Sequence, residues 1–274
     1  MLKKIIALTL AILMVAACMT ACGNKTEATG TKIAVQKGTT SLMYAQILKG
    51  AEAVSYDTFA LAANDMKNGN ADYVFVDKTT AKALCKEIAG IKMIDIALSS
   101  ENYGIGIDPN QADLKTKIDN ILTTKSAEID AIKDKYMNGD EANYVGVTSA
   151  AKDVNRAAEQ LVVATNAEFA PWEYKEGNQY YGIDMEIAQL IANELGLELV
   201  IDDMDFDMVV GAVGKQNVDI AMSGITITAE RMNVINFSIP YYTEAIVAVC
   251  KADDTSLDSV GTVVDMLNVI CAAN

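Results

Sequence analysis

Histidine is absent from the 274 residues, and proline (three) and tryptophan (one) are scarce. Without histidine there is no imidazole base, no Ser-His or Cys-His nucleophile and no imidazole metal ligand. Positive charge is short as well: 22 lysines and arginines face 37 acidic residues, a formal net charge of −15. Such a surface repels nucleic acid and anionic lipid, so no nucleic-acid partner is expected. Past Cys22 only Cys85, Cys250 and Cys271 remain. They have no metal-ligand spacing and are odd in number, so at most one pair can form, Cys250 with Cys271 being one candidate. A phosphate-cradling glycine loop is also missing, because Gly211-Ala-Val-Gly214 reads as helix interior. Glu168, Glu173 and Asp184 are scattered carboxylates without a visible partner, and Ser223 has no histidine to activate it. No catalytic residue, cofactor or metal is expected.

Long apolar runs are rare too. The exception follows Lys3 and Lys4 and spans Ile5 to Ala17. A charged start and a short apolar stretch read as an export signal rather than a lasting membrane span. It ends in Met19-Thr20-Ala21-Cys22-Gly23-Asn24, small residues before a cysteine. That pattern resembles the lipobox of bacterial lipoproteins, which implies cleavage after residue 21 and lipidation of Cys22. Val15-Ala16-Ala17-Cys18 is a weaker candidate, and an ordinary secretory signal is the plainer reading. Residues 22–31 then form a polar tether.

Strands and helices alternate through the rest, the mark of an α/β protein. Strands are expected at 32–36, 53–56, 71–76, 92–96 and 103–107. Helices are expected at about 39–48, 58–67, 77–87, 111–123 and 127–136. Residues 138–160, rich in Gly, Asn, Asp, Ser and Ala, read as a linker, with a helical turn near 152–159. Beyond it, 161–165, 197–201, 218–222 and 245–249 read as strands. Ile183, Ile187, Leu190, Ile191 and Leu195 share a helical face before a stop at Gly196, and 207–215 reads as a further helix. Thr228 can cap a helix beginning at Ala229. The tail, 257–274, has apolar residues and no clear partner.

Several positions could hold a ligand, and each has a plainer reading. Arg231 opens a helix after the 224–228 loop, where a guanidinium can grip a carboxylate by two parallel hydrogen bonds; it can equally pair with Glu230 or Asp207. Asp77 ends a strand, where ligands of open α/β sheets bind, or it caps the next helix. Gln36, Thr39 and Thr40 stand at another strand-to-helix turn, as carboxylate donors or as an ordinary cap. Phe169 and Phe206 read as walls for a planar or apolar ligand part, whereas Trp172 reads as packing. Asn166 can offer its amide or serve as a turn residue.

The combination is more specific than its parts. Val163-Ala-Thr-Asn-Ala-Glu-Phe-Ala-Pro-Trp172, Gly182-Ile-Asp184, Met204-Asp-Phe206, Gly224-Ile-Thr-Ile-Thr-Ala-Glu-Arg231 and Phe237-Ser-Ile-Pro-Tyr-Tyr242 resemble the family-3, polar amino-acid-binding proteins of ABC transporters. The resemblance implies the two-lobed type II periplasmic-binding fold. Lys32-Ile-Ala-Val-Gln-Lys-Gly-Thr-Thr-Ser41, Asn68-Gly-Asn-Ala-Asp-Tyr-Val-Phe-Val-Asp77 and Tyr103-Gly-Ile-Gly-Ile107 are similar to later parts of the same family. The order is therefore inverted, and the chain reads as a circular permutant. On this reading 32–98 form the small lobe, which 253–274 could complete. Residues 99–137 return to the large lobe, 138–160 join old end to old start, and 161–252 form the large lobe. About 20 linker residues reach at most about 65–70 Å, ample for the join.

Residue by residue, the resemblance implies that Arg231 clamps a ligand carboxylate with Thr226, Thr39 and Thr40. Asp77 and Gly224 would hold the ammonium group, with Ser223 beside them. Phe169 and Phe206 would flank the side chain, and Asn166 and Gln36 line its far end. The expected partners are a polar L-amino acid, neutral or cationic, and an ABC permease in the membrane. The protein is expected to be a monomer, exported and anchored through Cys22. A sensor domain and a rearranged, non-binding remnant are the alternatives; an enzyme of the same fold is the least favoured.

Overall fold

The computed structural model describes residues 30–155, 159–215 and 217–272. The export signal, Cys22 and most of the tether lie outside these residues. The chain divides into two compact units: one up to Ser100 together with the residues from Ala245, the other from Glu101 to Glu244.

The first unit begins with β1 (Thr31–Gln36), helix Thr40–Ile47 and β2 (Ala51–Tyr56). Helix Phe59–Lys67, β3 (Tyr73–Asp77), helix Lys78–Glu87 and β4 (Ile91–Ile94) follow. Its last parts are β15 (Ile246–Lys251) and helix Val263–Ala272. The helix starts are written locally: Thr39 Oγ1 accepts the Leu42 N–H and Thr58 Oγ1 the Leu61 N–H, each 3.2 Å away. Such caps satisfy amides that have no partner within the helix. The sheet order is β2-β1-β3-β15-β4. β1 runs parallel to β2 and β3, while β15 runs antiparallel to β3 and β4. One apolar cluster fills this unit, joining Ile33, Val35 and Phe75 to Ile246, Ala248, Cys250, Met266, Leu267 and Ile270. Each large side chain buried there is worth about 1.5–3 kcal/mol. The tail is thus a core helix: Thr31 Oγ1 also donates to the Ile270 carbonyl at 2.6 Å. Cys85, Cys250 and Cys271 are in no disulfide.

The second unit holds β5 (Glu101–Tyr103), β6 (Gly106–Ile107) and helices Ala112–Thr124 and Ser126–Asn138. β7 (Gln160–Thr165), β8 (Glu168–Phe169), β9 (Glu173–Glu176) and β10 (Gln179–Tyr181) follow. Then come helix Ile183–Leu195, β11 (Glu198–Asp203), helix Phe206–Ala212, β12 (Ile220–Ala221) and helix Ala229–Met232. β13 (Asn236–Phe237) and β14 (Tyr242–Glu244) close it. Its main sheet is ordered β11-β7-β12-β6-β13, with β6 antiparallel to both neighbours. Gly196 has φ +69° and ends the long helix, as its position predicts.

Three expectations need correction. The strand expected over 103–107 is two short ones, broken at Gly104, where a Cβ would fall 2.7 Å from Ile227 Cδ1. Gly214 is not helix interior: the helix stops at Ala212, and Val213 bridges to Val218. The region 138–155 is not a slack spacer. A 3-10 turn occupies Glu141–Asn143, and Val147 and Tyr180 exchange backbone hydrogen bonds of 2.7 and 2.9 Å. The Ala150 N–H donates to the Leu199 carbonyl at 2.9 Å, and Ser149 Oγ accepts the Ile201 N–H at 2.8 Å. Of the expected helical turn at 152–159, residues 154–155 form a turn, and 156–158 lie outside the described residues.

Candidate functional site

In the second unit the candidate residues gather beyond the carboxyl ends of β7 and β12. In this kind of sheet, ligands bind on that side. Asn166 directly follows β7, and Ser223 and Gly224 lie just past β12. The Asn166 N–H donates to Ser223 Oγ at 3.2 Å, and its Nδ2 donates to the Met204 carbonyl at 3.0 Å. That amide nitrogen therefore braces the loop. Gly224 adopts φ +52°, and a Cβ there would fall 2.8 Å from Phe169 Cε1. Only glycine lets the Phe169 ring lie against this backbone.

Arg231 is oriented from two sides. Its guanidinium donates to the Thr226 carbonyl at 2.9 Å and lies 5.7 Å above the centre of the Phe206 ring. A cation over an aromatic face is attracted by the ring quadrupole, so Phe206 serves Arg231 as well as forming a wall. Thr228 caps the short helix, accepting the Arg231 N–H at 3.2 Å. The Thr226 hydroxyl donates to Glu101 Oε2 at 2.6 Å. Its proton is therefore directed at Glu101.

The first unit supplies its own set at the carboxyl ends of β1 and β3. Buried Gln36 turns its Nε2 to the Asp57 carbonyl at 2.8 Å. The Thr39 hydroxyl donates to the Gln36 carbonyl at 2.7 Å and accepts from Leu42, which is the plainer cap reading. Thr40 is buried in the first turn. Asp77 is buried at the end of β3 and occupies the cap position without a side-chain capping bond, so capping does not account for it.

The residues that sequence reasoning missed lie behind the loop. Glu173 and Asp184 are both fully buried, and they are neighbours whose charges act on each other. Glu173 Oε1 accepts the Ser223 hydroxyl at 2.8 Å. Asp184 accepts the Gly224 N–H at 2.9 Å and the Tyr241 O–H at 2.7 Å. Burial, and then the charge of Asp184, push the Glu173 carboxyl well above the usual carboxylate range. Burial raises Asp184 to about 6, against the pull of the Gly224 and Tyr241 donors. One signal could have found the pair: Asp184 shares the buried helix face with Ile187 and Ile191, at spacings of three and seven, where a carboxylate needs a reason. Trp172 is core, as expected, set edge-on to Tyr103 at 4.9 Å between ring centres. Among the described residues no helix is long and apolar enough to cross a membrane.

Residues 161–269 match the model of the bacterial extracellular solute-binding proteins, family 3. The arginine-binding extracellular protein ArtP of Bacillus subtilis is 39% identical over 94 residues, 34% of this chain and 37% of that protein. The cyclohexadienyl dehydratase of Pseudomonas aeruginosa is 39% identical over 82 residues, 30% of this chain and 31% of that enzyme. The arginine-bound domain 1 of TmArgBP, in a Phe57Trp mutant, is 31% identical, covering 42% of this chain and 91% of that one at a TM-score of 0.30. The chain spans about a third of the length of the curated relatives it matches. These relatives are mainly amino-acid-binding proteins of ABC transporters, and one is an enzyme. Through residues 161–269 the chain belongs to the bacterial extracellular solute-binding proteins of family 3.

Proposed function

We propose that this chain is the substrate-binding lipoprotein of an amino-acid ABC importer, and that its ligand is a cationic or neutral polar L-amino acid. The carrying observation is Arg231, held by the Thr226 carbonyl and the Phe206 face beside the Gly224 turn. A guanidinium fixed this way is pre-organised for an α-carboxylate. The arginine-binding names of several relatives support arginine as the first probe. Within the first unit, Thr40 and Asp77 are read as a carboxylate donor and an ammonium acceptor. The bound ligand would be handed to a membrane permease, and Cys22 would carry the lipid. We also read the chain order as a circular permutation of the family, which the strand order within each unit supports: β15 enters the first sheet and β6 the second from distant sequence.

The test is a thermal melt of the purified chain with and without L-arginine. Ligand at 100 times its dissociation constant adds about 2.7 kcal/mol. For a chain of this size that is on the order of 5–10 °C in Tm. Arg231→Ala should melt at the unliganded temperature and lose the shift, because the carboxylate would be buried without its cation. An equal shift in the variant would refute the assignment.

A further inference from the structure

We propose that Glu173 and Asp184 share a single buried proton, carried by Glu173, and that this acid–carboxylate bond is what positions the Asn166–Ser223–Gly224 edge. The geometry requires a proton. Both carboxyls are fully buried, and among the described residues no lysine or arginine pairs with either. Glu173 Oε2 has no donor. The Ser223 hydroxyl donates to Glu173 Oε1, and the neighbouring charge that acts most on Glu173 is the Asp184 carboxyl. Two ionised carboxylates are acceptors only and cannot bond each other.

The proton belongs on Glu173 because Asp184 already has two donors, the Gly224 N–H and the Tyr241 O–H. Glu173 has one, and its other neighbouring charges, Asp184 and Asp203, are both negative. Tyr241, itself pushed up by burial and by Asp184, remains a neutral donor. The arrangement ties three separate stretches to one bond. Glu173 fixes Ser223, which receives the Asn166 N–H, and Asp184 fixes Gly224. Glu173 and Asp184 are positioning residues. Their bearing on ligand binding rests on the proposed function; the proton itself does not.

Folding must then take up a proton. Above about 4.5, the ordinary glutamate range, the unfolded chain has released it while the folded chain keeps it. The folded state binds more protons, so stability falls as pH rises toward the folded value of Glu173, by up to about tenfold in the folding constant per pH unit. The full contribution is present below about pH 4.5.

Infrared difference spectroscopy of the unliganded chain at pH 7 should show the C=O band of one protonated, buried carboxylic acid. Glu173→Gln supplies a permanent N–H in place of that proton. It should lose the band, flatten the pH slope of the urea midpoint above pH 5, and keep arginine affinity within about threefold, whereas Glu173→Ala should weaken it more. Asp184→Asn removes a repelling charge and offers Glu173 a donor, so the band should titrate away at lower pH. Absence of the band in the unmutated chain, its persistence in Glu173→Gln, or parallel pH slopes would each overturn the proposal. A band without any amino-acid binding would leave the proton standing and remove the ligand reading. Binding without the band would do the reverse.

Discussion

The two units order their strands alike and fill their interiors differently. Each sheet runs second, first, third, inserted, fourth: β2-β1-β3-β15-β4 in one and β11-β7-β12-β6-β13 in the other. In each, the inserted strand is antiparallel to both neighbours and comes from distant sequence. In the first unit that strand is long and apolar, Ile246 to Cys250 being fully buried, and a helix over 263–272 covers its core. In the second the inserted strand is only Gly106–Ile107, and the interior admits Glu101, Glu173, Asp184, Asp219 and Glu244. One fold pattern thus stands on two kinds of cohesion. Apolar burial is non-directional and insensitive to pH, whereas a buried polar network is specific, and costly when one member is lost. The only tryptophan, Trp172, is buried in the second unit, so its fluorescence reports that unit while circular dichroism reports both.

The strongest way to separate the two is to break the apolar one. Ile270→Asp puts a carboxylate into the cluster formed with Ile33, Phe75 and Ile246. Losing the buried side chain costs about 2–5 kcal/mol, and the buried charge adds several more. That exceeds the stability of many domains. Circular dichroism should lose the first unit's melting transition at room temperature while the Trp172 signal still melts cooperatively. Loss of both together would mean that the units do not unfold separately. The complementary break is Gly182→Ala. Gly182 has φ +118°, and a Cβ would fall 2.2 Å from the Trp172 carbonyl oxygen. Strain and the forced shift between Trp172 and helix Ile183–Leu195 should cost about 3 kcal/mol or more. The fall should appear in the Trp172 midpoint and leave the first unit's transition in place.

How much of this was legible in the sequence follows from how local each cause is. Helix starts were readable because Thr39, Thr58 and Thr228 cap amides three residues on, and the stop at Gly196 because glycine alone takes that turn without strain. Arg231 and the Gly224 turn were readable together, since loop and helix are adjacent. The tail was not, because the partners of Met266 and Ile270 include Ile33 and Phe75, far back in the chain. Glu173 and Asp184 read as unrelated carboxylates because they meet across a turn and a hairpin, with Ser223, Gly224 and Tyr241 coming from still further on. Asn166, Gln36 and Thr226 were assigned to a ligand because polar residues at strand ends suit one. Each also bonds a group of the protein itself, which no local pattern announces.

The smallest predicted effect tests the region whose polar composition misled most. Residues 149–152 lie along β11, the edge strand of the second unit's sheet, and Ser149 and Ala150 answer its outward backbone groups. Lys152 adds an ion pair to Asp202 at 2.5 Å, and Gln160 Nε2 reaches the Ala151 carbonyl at 2.8 Å. An edge left open offers its amides to other chains, so a covering strap also guards against association. Ser149→Ala removes the acceptor of the Ile201 N–H and should cost about 1 kcal/mol. Lys152→Ala, at a partly exposed pair, should cost less. If 138–160 were a slack joint, neither change would move the Trp172 midpoint. If the strap belongs to the second unit's structure, Ser149→Ala lowers that midpoint alone, and the first unit melts as before.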